Sequence, residues 1–545
     1  LVVIILLSGC SVVNSQPLPP HLNPVNGVNK LKSRIQRLRS DGNDVLIKDA
    51  RLFAVSENTI KQKLDSAVWG FRNTSTGQME YSDKIYIEYN SRGQITAVVE
   101  FGKDEFGPWN EDNKTEYSYD ANGYLSDQRE FDWDYDLNKW IGWNRIAYTS
   151  DASGKTTCLI RYDWNYIAND WEIDWKQETN YNQQGNIISE IYYKWDRINE
   201  LWENSSKIET IDDTSNSQTI NVYNWDNNSS QWNHVRKTEN TYDAGENLIR
   251  SIVSYNNLET GTWNAYEKQE YAYNTDGLQT LYAEYSWDPV ASQWKGESKH
   301  EASYDSKGHI MGYTWYEWNI QKGDWMPSNK ITYGYSQETM TSLAFYYWVA
   351  TANQWINSTK VELWVDASGN YGSMEFSSWN LIALAWEYSF KVEFTYNNAY
   401  GKSDLVFPEF IYSIEEITEI PGLDLHLANH MLIEAKFLAF ENDAWEFTEN
   451  AKYYYSEIEI SGLEANKAGM LAVYPNPADE ILHIRWSGSL KEINVKLFNH
   501  QGTLVVDKTF TDHTNIPVSG FAPGIYLYKV TQEGQPEKTG KIILQ

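Results

Sequence analysis

Tryptophans recur in this chain as pairs seven residues apart: Trp133/Trp140, Trp164/Trp171, Trp195/Trp202 and Trp225/Trp232, then after one gap Trp287/Trp294, Trp318/Trp325, Trp348/Trp355 and Trp379/Trp386. The step from pair to pair is 31 residues, sometimes 30. In the gap Asn256 holds the first slot and Trp263 the second; upstream, the same register places Phe101/Trp109 and Phe71/Met79 in the slots. A period of this length over most of a chain restricts it to an array of one supersecondary unit, because a single unit cannot bury its apolar face alone.

Two further marks share the period. A basic residue stands five positions after each second slot, from Lys84, Lys114 and Arg145 to Lys360 and Lys391. A Tyr-Asp-x-x-Gly stretch recurs, as at Tyr119-Asp120-Ala121-Asn122-Gly123. That is turn chemistry, since Asp bonds its own backbone and Gly tolerates positive φ. Each unit therefore reads as two strands joined by a short polar loop between the tryptophans. Strict alternation predicts the tryptophan pair on one face and the basic residue on the other. By the same rule the tyrosine ten residues on (Tyr181, Tyr242, Tyr304, Tyr335) is expected back on the tryptophan face.

Connections this short allow only antiparallel neighbours. The expected fold class is all-β: an elongated, twisted antiparallel β-hairpin repeat array with a 31-residue period, plus a small C-terminal β-sandwich. The expectation for so many strands is an open, coiling sheet whose last edge needs a cap.

The chain divides into five parts. Residues 1–15 read as a signal peptide: Leu1–Leu7 is wholly apolar and small residues follow. Leu7-Ser8-Gly9-Cys10 also fits a lipobox, so an ordinary signal and lipidation at Cys10 both stand, and a membrane partner is expected only through that lipid. Residues 16–61 read as a linker or N-terminal cap, with a basic stretch KLKSRIQRLRS. Residues 62–400 are the repeat array. Residues 401–460 are an irregular insertion with a last hairpin, Phe440/Trp445 being its aromatic pair, and are expected to cap the array. Residues 470–545 lose the tryptophan rhythm and alternate in short strands such as ILHIRW and GIYLYKV, a separate domain.

That last domain resembles the type A sorting domain of the type IX secretion system of Bacteroidetes. The resemblance rests on Val473-Tyr474-Pro475-Asn476-Pro477-Ala478, Leu497-Phe498-Asn499-His500-Gln501-Gly502, Pro523-Gly524-Ile525-Tyr526-Leu527-Tyr528-Lys529-Val530 and the terminal Lys541-Ile542-Ile543-Leu544-Gln545. It implies a small β-sandwich read by the outer-membrane export machinery, with Tyr474, Pro475, Asn476, Pro477, Gly524, Tyr526 and Lys541 as the sorting motif. It also implies secretion or display on the outer cell surface. The array looks like repeat proteins of the same bacteria with tyrosine-aspartate turns, and is more distantly similar to the repeats of Rhs-type shell proteins. No toxin-like domain follows it, so no toxin-enclosing role is carried over.

The net charge of −30 argues against nucleic-acid and anionic-membrane partners. Acidic loops such as Asp134/Asp136 supply oxygen ligands but no fixed spacing for calcium. His426 and His430, four apart, lack the glutamate of a metalloprotease motif. Nucleophile elbows and phosphate loops are absent from the sequence, so no cofactor and no catalysis are expected. The tryptophan pairs read first as cross-strand staples. The binding reading places a ladder of indoles at Trp133, Trp140, Trp164, Trp171, Trp195, Trp202, Trp225, Trp232, Trp287, Trp294, Trp318 and Trp325 against glycan or another surface polymer. The leading expectation is a non-catalytic adhesion module. The rivals are a structural spacer or coat protein, and a hydrolase with its site in the irregular regions.

Overall fold

The computed structural model describes residues 59–73, 75–103, 109–214, 216–406, 429–460, 470–474, 478, 481–487, 492–499, 501–511, 513–532 and 538–544. The expected signal peptide, most of the linker, residues 407–428 of the insertion, and residues 475–477 of the sorting motif lie outside them.

The repeat forms hairpins as the sequence requires. Asp120 shows the turn: its Oδ1 accepts the N–H of Asn122 at 2.9 Å and of Tyr124 at 2.8 Å, and Gly123 takes φ +90°. The loop between tryptophans is built the same way. Asp134 Oδ1 accepts the N–H groups of Asp136 and Leu137, at 2.9 and 2.8 Å, and Asn138 closes the loop at φ +50°. Trp133 then lies directly opposite Trp140. The first two units are offset from the expected slots: Arg72, not Phe71, faces Met79, and Lys103, not Phe101, faces Trp109.

The array does not stay open. Its strands belong to one 25-stranded sheet. Leaving aside the short Leu405–Val406, which lies parallel to Gln62–Lys63, 24 strands form twelve consecutive hairpins that close on themselves. The first strand, Thr59–Arg72, pairs on one side with Met79–Tyr89 and on the other with Ala444–Ile460. The expected open, elongated sheet is thus a closed, barrel-like one. The expected cap is unnecessary, because the first strand itself covers the last edge, and closure abolishes edges altogether. The hairpin after the insertion, His430–Glu441 and Ala444–Ile460, is a full member of the ring.

The closing junction repeats the register of the others. Between hairpins the ladder residue faces the position two before the next first slot: Lys176 faces Tyr193, Lys268 faces Tyr285 and Lys391 faces Leu438. At the closure Asn450, five after Trp445, faces Gly70, two before Arg72.

A β-bulge sits in the second strand of these hairpins, three residues past the second slot. Glu130 faces Asn144 while Phe131 faces Gly142, leaving Trp143 unpaired in the ladder; the same shift recurs in the later hairpins. The extra residue reverses the alternation for the rest of that strand. The basic ladder therefore shares the tryptophan face, and the turn tyrosine moves to the opposite face. Both are the reverse of the expectation from strict alternation. On that opposite face lies the main buried cluster, including Ile331, Tyr333, Leu343, Val361, Met374, Val392, Leu432 and Phe437.

Residues 470–544 form a three-stranded and a four-stranded antiparallel sheet. They share one core, with Leu482 and Ile484 from one sheet meeting Val495, Leu497 and Val530 from the other. The only helical element among the described residues is the 3-10 turn Lys402–Asp404.

Candidate functional site

The tryptophan face is the surface on which the sequence placed a ligand. All twelve indoles of the expected ladder are half-buried. Each pair meets edge to face: Trp133–Trp140, Trp164–Trp171 and Trp287–Trp294 have centroids 5.0–5.1 Å apart at 71–81°. Trp195–Trp202, Trp225–Trp232 and Trp318–Trp325 repeat the arrangement at 5.0–5.1 Å. This is the geometry an aromatic quadrupole favours. The pairs also lean on the preceding hairpin. A Cβ on Gly142 would come within 2.6 Å of Trp171 Cζ2, and one on Gly296 within 2.6 Å of Trp325 Cζ2.

The bulge brings the basic ladder onto this surface. Lys176 Nζ lies 4.1 Å from the ring centre of Tyr193 and 5.2 Å from that of Trp202 in the next hairpin. Lys268 repeats this over Tyr285 at 4.0 Å and Trp294 at 5.6 Å, and Lys330 over Tyr346 and Trp355. Lys176, Lys268 and Lys299 also pair with the glutamate two residues on, Lys176–Glu178 at 2.5 Å, Lys268–Glu270 at 2.7 Å and Lys299–Glu301 at 2.8 Å, while Lys330 has Thr332 in that place. Tyr193 Oη donates to Glu178 Oε2 at 3.0 Å, and Tyr316 Oη to Glu301 Oε2 at 2.6 Å. The hydrogen bond from Lys176 holds the Glu178 carboxyl below its usual range. Burial, reinforced by Glu178, pushes the Tyr193 hydroxyl up to about 12. Lysine, glutamate, tyrosine and tryptophan thus form one polar-aromatic staple between neighbouring hairpins. The ladder is therefore not a freely solvated row of charges.

On the other face the turn tyrosines tie the two strands of each hairpin together at its open end. Tyr119 Oη donates to the Ile95 carbonyl at 2.7 Å, Tyr181 to Thr156 at 2.8 Å and Tyr304 to Gln279 at 2.9 Å. Tyr282, His300 and Tyr313 stack in a row across three strands, with centroids 4.9 and 4.8 Å apart. Burial there lowers the His300 imidazole to about 4.

Among the described residues no group of three or more His, Cys, Asp or Glu side chains is placed to hold a metal ion. Asp134 spends its carboxylate on its own loop. His430 Nδ1 is 3.0 Å from Asn370 Oδ1, while His426 lies outside the described residues. Cys158 is a free, partly buried thiol.

Of the sorting motif, Tyr474 pairs with His483 in the three-stranded sheet. Gly524 opens the strand Gly524–Gln532. Tyr526 is buried and donates to the Ala522 carbonyl at 2.9 Å, and Lys541 faces Leu527 in the last ladder. Ala478 N–H donates to the Ile543 carbonyl at 2.8 Å, so the front and the end of the motif meet. This domain touches the array on its tryptophan face, where Tyr86 Oη reaches the Val473 carbonyl at 3.5 Å and Phe101 lies 6.5 Å from the His483 ring.

Comparison with known proteins separates the two regions. No curated protein matches the chain. Among solved structures, a protein of unknown function from Bacteroides fragilis is 15% identical, covers 23% of this chain and 91% of its own, and gives a TM-score of 0.21. A porin-like protein from Bacteroides uniformis is 11% identical over 43% of this chain and 95% of its own, with a TM-score of 0.23. The TcdB2–TccC3–TEV structure is 13% identical over 84% of this chain and 26% of its own, at 0.17. At such scores none of them defines the fold of the ring. Residues 472–545, in contrast, match the secretion system C-terminal sorting domain. That match marks the chain as an exported substrate of the type IX secretion machinery of Bacteroidetes.

Proposed function

We propose that the exported protein is a non-catalytic binding or adhesion module of the outer cell surface, holding an extended glycan or another surface polymer along its tryptophan face. Repetition in register is the observation that supports this. Partly exposed indole pairs recur in eight of the twelve hairpins, and where such hairpins adjoin the pairs are about 10 Å apart for two strands, close to the length of one disaccharide in an extended polysaccharide. A polymer laid across the hairpins would meet the same aromatic and Lys-Glu groups at each step, and weak contacts repeated along one chain add up through effective concentration.

A second reading, a structural spacer or coat protein, draws on the same staples. The lysines already occupy part of the aromatic surface, so the indoles have a complete role without a ligand. Tryptophan fluorescence of the full chain, titrated with a panel of polysaccharides and followed with iodide quenching, separates the two. Strong quenching with a saturable response to one glycan is expected for the binder. Protected indoles and no response to any polymer would leave the spacer.

A further inference from the structure

The two rims of the closed sheet differ. Antiparallel hairpins place every tryptophan-side loop at one rim and every Asp-x-x-Gly turn at the other. The turns are small or polar, as at Ala121-Asn122-Gly123, Ala152-Ser153-Gly154 and Ser306-Lys307-Gly308. The tryptophan-side loops carry apolar residues at their tips, and these stand almost wholly in solvent: Ile167 is 98% exposed, Ile198 91%, Val290 94% and Ile382 96%. Tyr135 and Tyr166 stand exposed beside them. Hairpin closure does not need these side chains. Asn165, Asp196, Asp288 and Asn380 hold their loops by accepting backbone N–H bonds at 2.8–3.1 Å. The loop Asp226-Asn227-Asn228-Ser229-Ser230 closes with no apolar tip at all.

We propose that this rim is a membrane-contact crown that dips its apolar tips into the interface of a zwitterionic phospholipid bilayer. The spacing of the tips and the charge of the loops select that occupant. Ile167 and Ile198 stand on adjacent hairpins, ~10 Å apart, whereas Val290 and Ile382 each follow the previous tip by three hairpins, ~30 Å along the rim, with loops carrying Asn, Asp and Thr between them. They form separate points rather than the contiguous apolar core that a protein interface packs. A fluid headgroup layer accepts separate side chains, and tyrosines favour that depth. The described loops that join the tryptophan slots are neutral or carry net negative charge. A second copy meeting rim to rim would be repelled, as would anionic headgroups. Contact of this kind needs no lipid on Cys10, and it uses a surface separate from the tryptophan face.

The test compares three forms of the full chain, all carrying Cys10→Ser so that lipidation contributes to none. The first is otherwise unaltered. The second combines Ile167→Asp, Ile198→Asp, Val290→Asp and Ile382→Asp. The third adds the same charge at the opposite rim through Ala121→Asp, Ala152→Asp, Ala244→Asp and Ala367→Asp. Thermal melting confirms that each is folded, and sedimentation with phosphatidylcholine vesicles reads binding. The unaltered and opposite-rim forms are expected to bind alike, and the tip variant to bind ~10-fold less or weaker still. Failure of the unaltered form to bind overturns the proposal. So does equal binding by the tip variant, which would point to the apolar N-terminal stretch, or binding that appears only with added phosphatidylglycerol. A vesicle-independent dimer, lost in the tip variant without any vesicle binding, would assign the crown to a second copy instead.

Discussion

Asn450 of the last hairpin faces Gly70 of the first, in the same register that sets Lys176 opposite Tyr193 and Lys268 opposite Tyr285. The ring therefore closes by repeating an ordinary junction.

If closure is only one more junction, the number of hairpins is adjustable. Excising Asn182 to Asp212, one period, joins Tyr181 to Asp213 with the turn restored. The product is expected to be a folded ring of eleven hairpins, monomeric and slightly smaller by size-exclusion chromatography. Aggregation through two unpaired edges would show that closure needs all twelve.

The staple between hairpins makes Lys268 more than a surface charge. Its Nζ sits 4.0 Å from the centre of the Tyr285 ring and 2.7 Å from Glu270, and its side chain is largely buried. Lys268→Ala is expected to lower stability by about 1–2 kcal/mol, with Lys268→Arg closer to the parent, in urea titrations followed by fluorescence. Trp287→Ala should cost more, because it removes one indole of an edge-to-face pair. Unchanged melting and proteolysis in both would mean that neither side chain is packed.

Gly142 is required by closeness rather than by conformation. Its backbone lies under Trp164 and Trp171, and a methyl group there must displace an indole. Gly142→Ala is expected to destabilise by roughly 1–3 kcal/mol and to shift the tryptophan emission maximum. A neutral result would show that this pair moves freely.

His300 gives the ring an acid-sensitive point. Its folded value near 4 lies below the ordinary value of about 6.5, so the folded state binds fewer protons than the unfolded chain between those limits. Its favourable contribution is complete above about pH 6.5 and is lost as pH falls toward 4. His300→Phe keeps the stack with Tyr282 and Tyr313 and should flatten the fall in melting temperature between pH 7 and pH 4.5. An unchanged slope would place the acid sensitivity elsewhere.

The sorting domain predicts a localisation. Removing residues 472–545 should leave the protein in the periplasm, seen by fractionation and surface labelling. Normal surface display without them would contradict the export assignment.

The hairpins, their tryptophan pairs and the sorting motif could be read from the sequence because each depends on contacts local in the chain or on a motif. The bulge could not. Its position is held by Trp143, Asp174, Ser205, Val235 and Glu297 in different hairpins, so no residue type announces it. Missing it put Lys176 and Tyr181 on the wrong faces and hid the staple between hairpins. Closure was equally hidden. Whether Thr59 meets Ile460 depends on curvature accumulated over every junction, and no single unit encodes it. The offsets at Arg72 and Lys103 arose where the tryptophan of the first slot is missing, leaving the register to be guessed from a neighbouring aromatic.

The pairing of Thr59 with Ile460 joins the two ends of the described array. A strand made first must wait for the strand made last, and loop-closure entropy opposes that meeting until the intervening hairpins have formed. During synthesis the ring is therefore an incomplete sheet with two live edges. Its final strand ends at Ile460, only a short stretch before the sorting domain begins at 472. The export signal and the last missing strand reach the folding compartment almost together, so the ring can close only at about the time the chain becomes addressable for export.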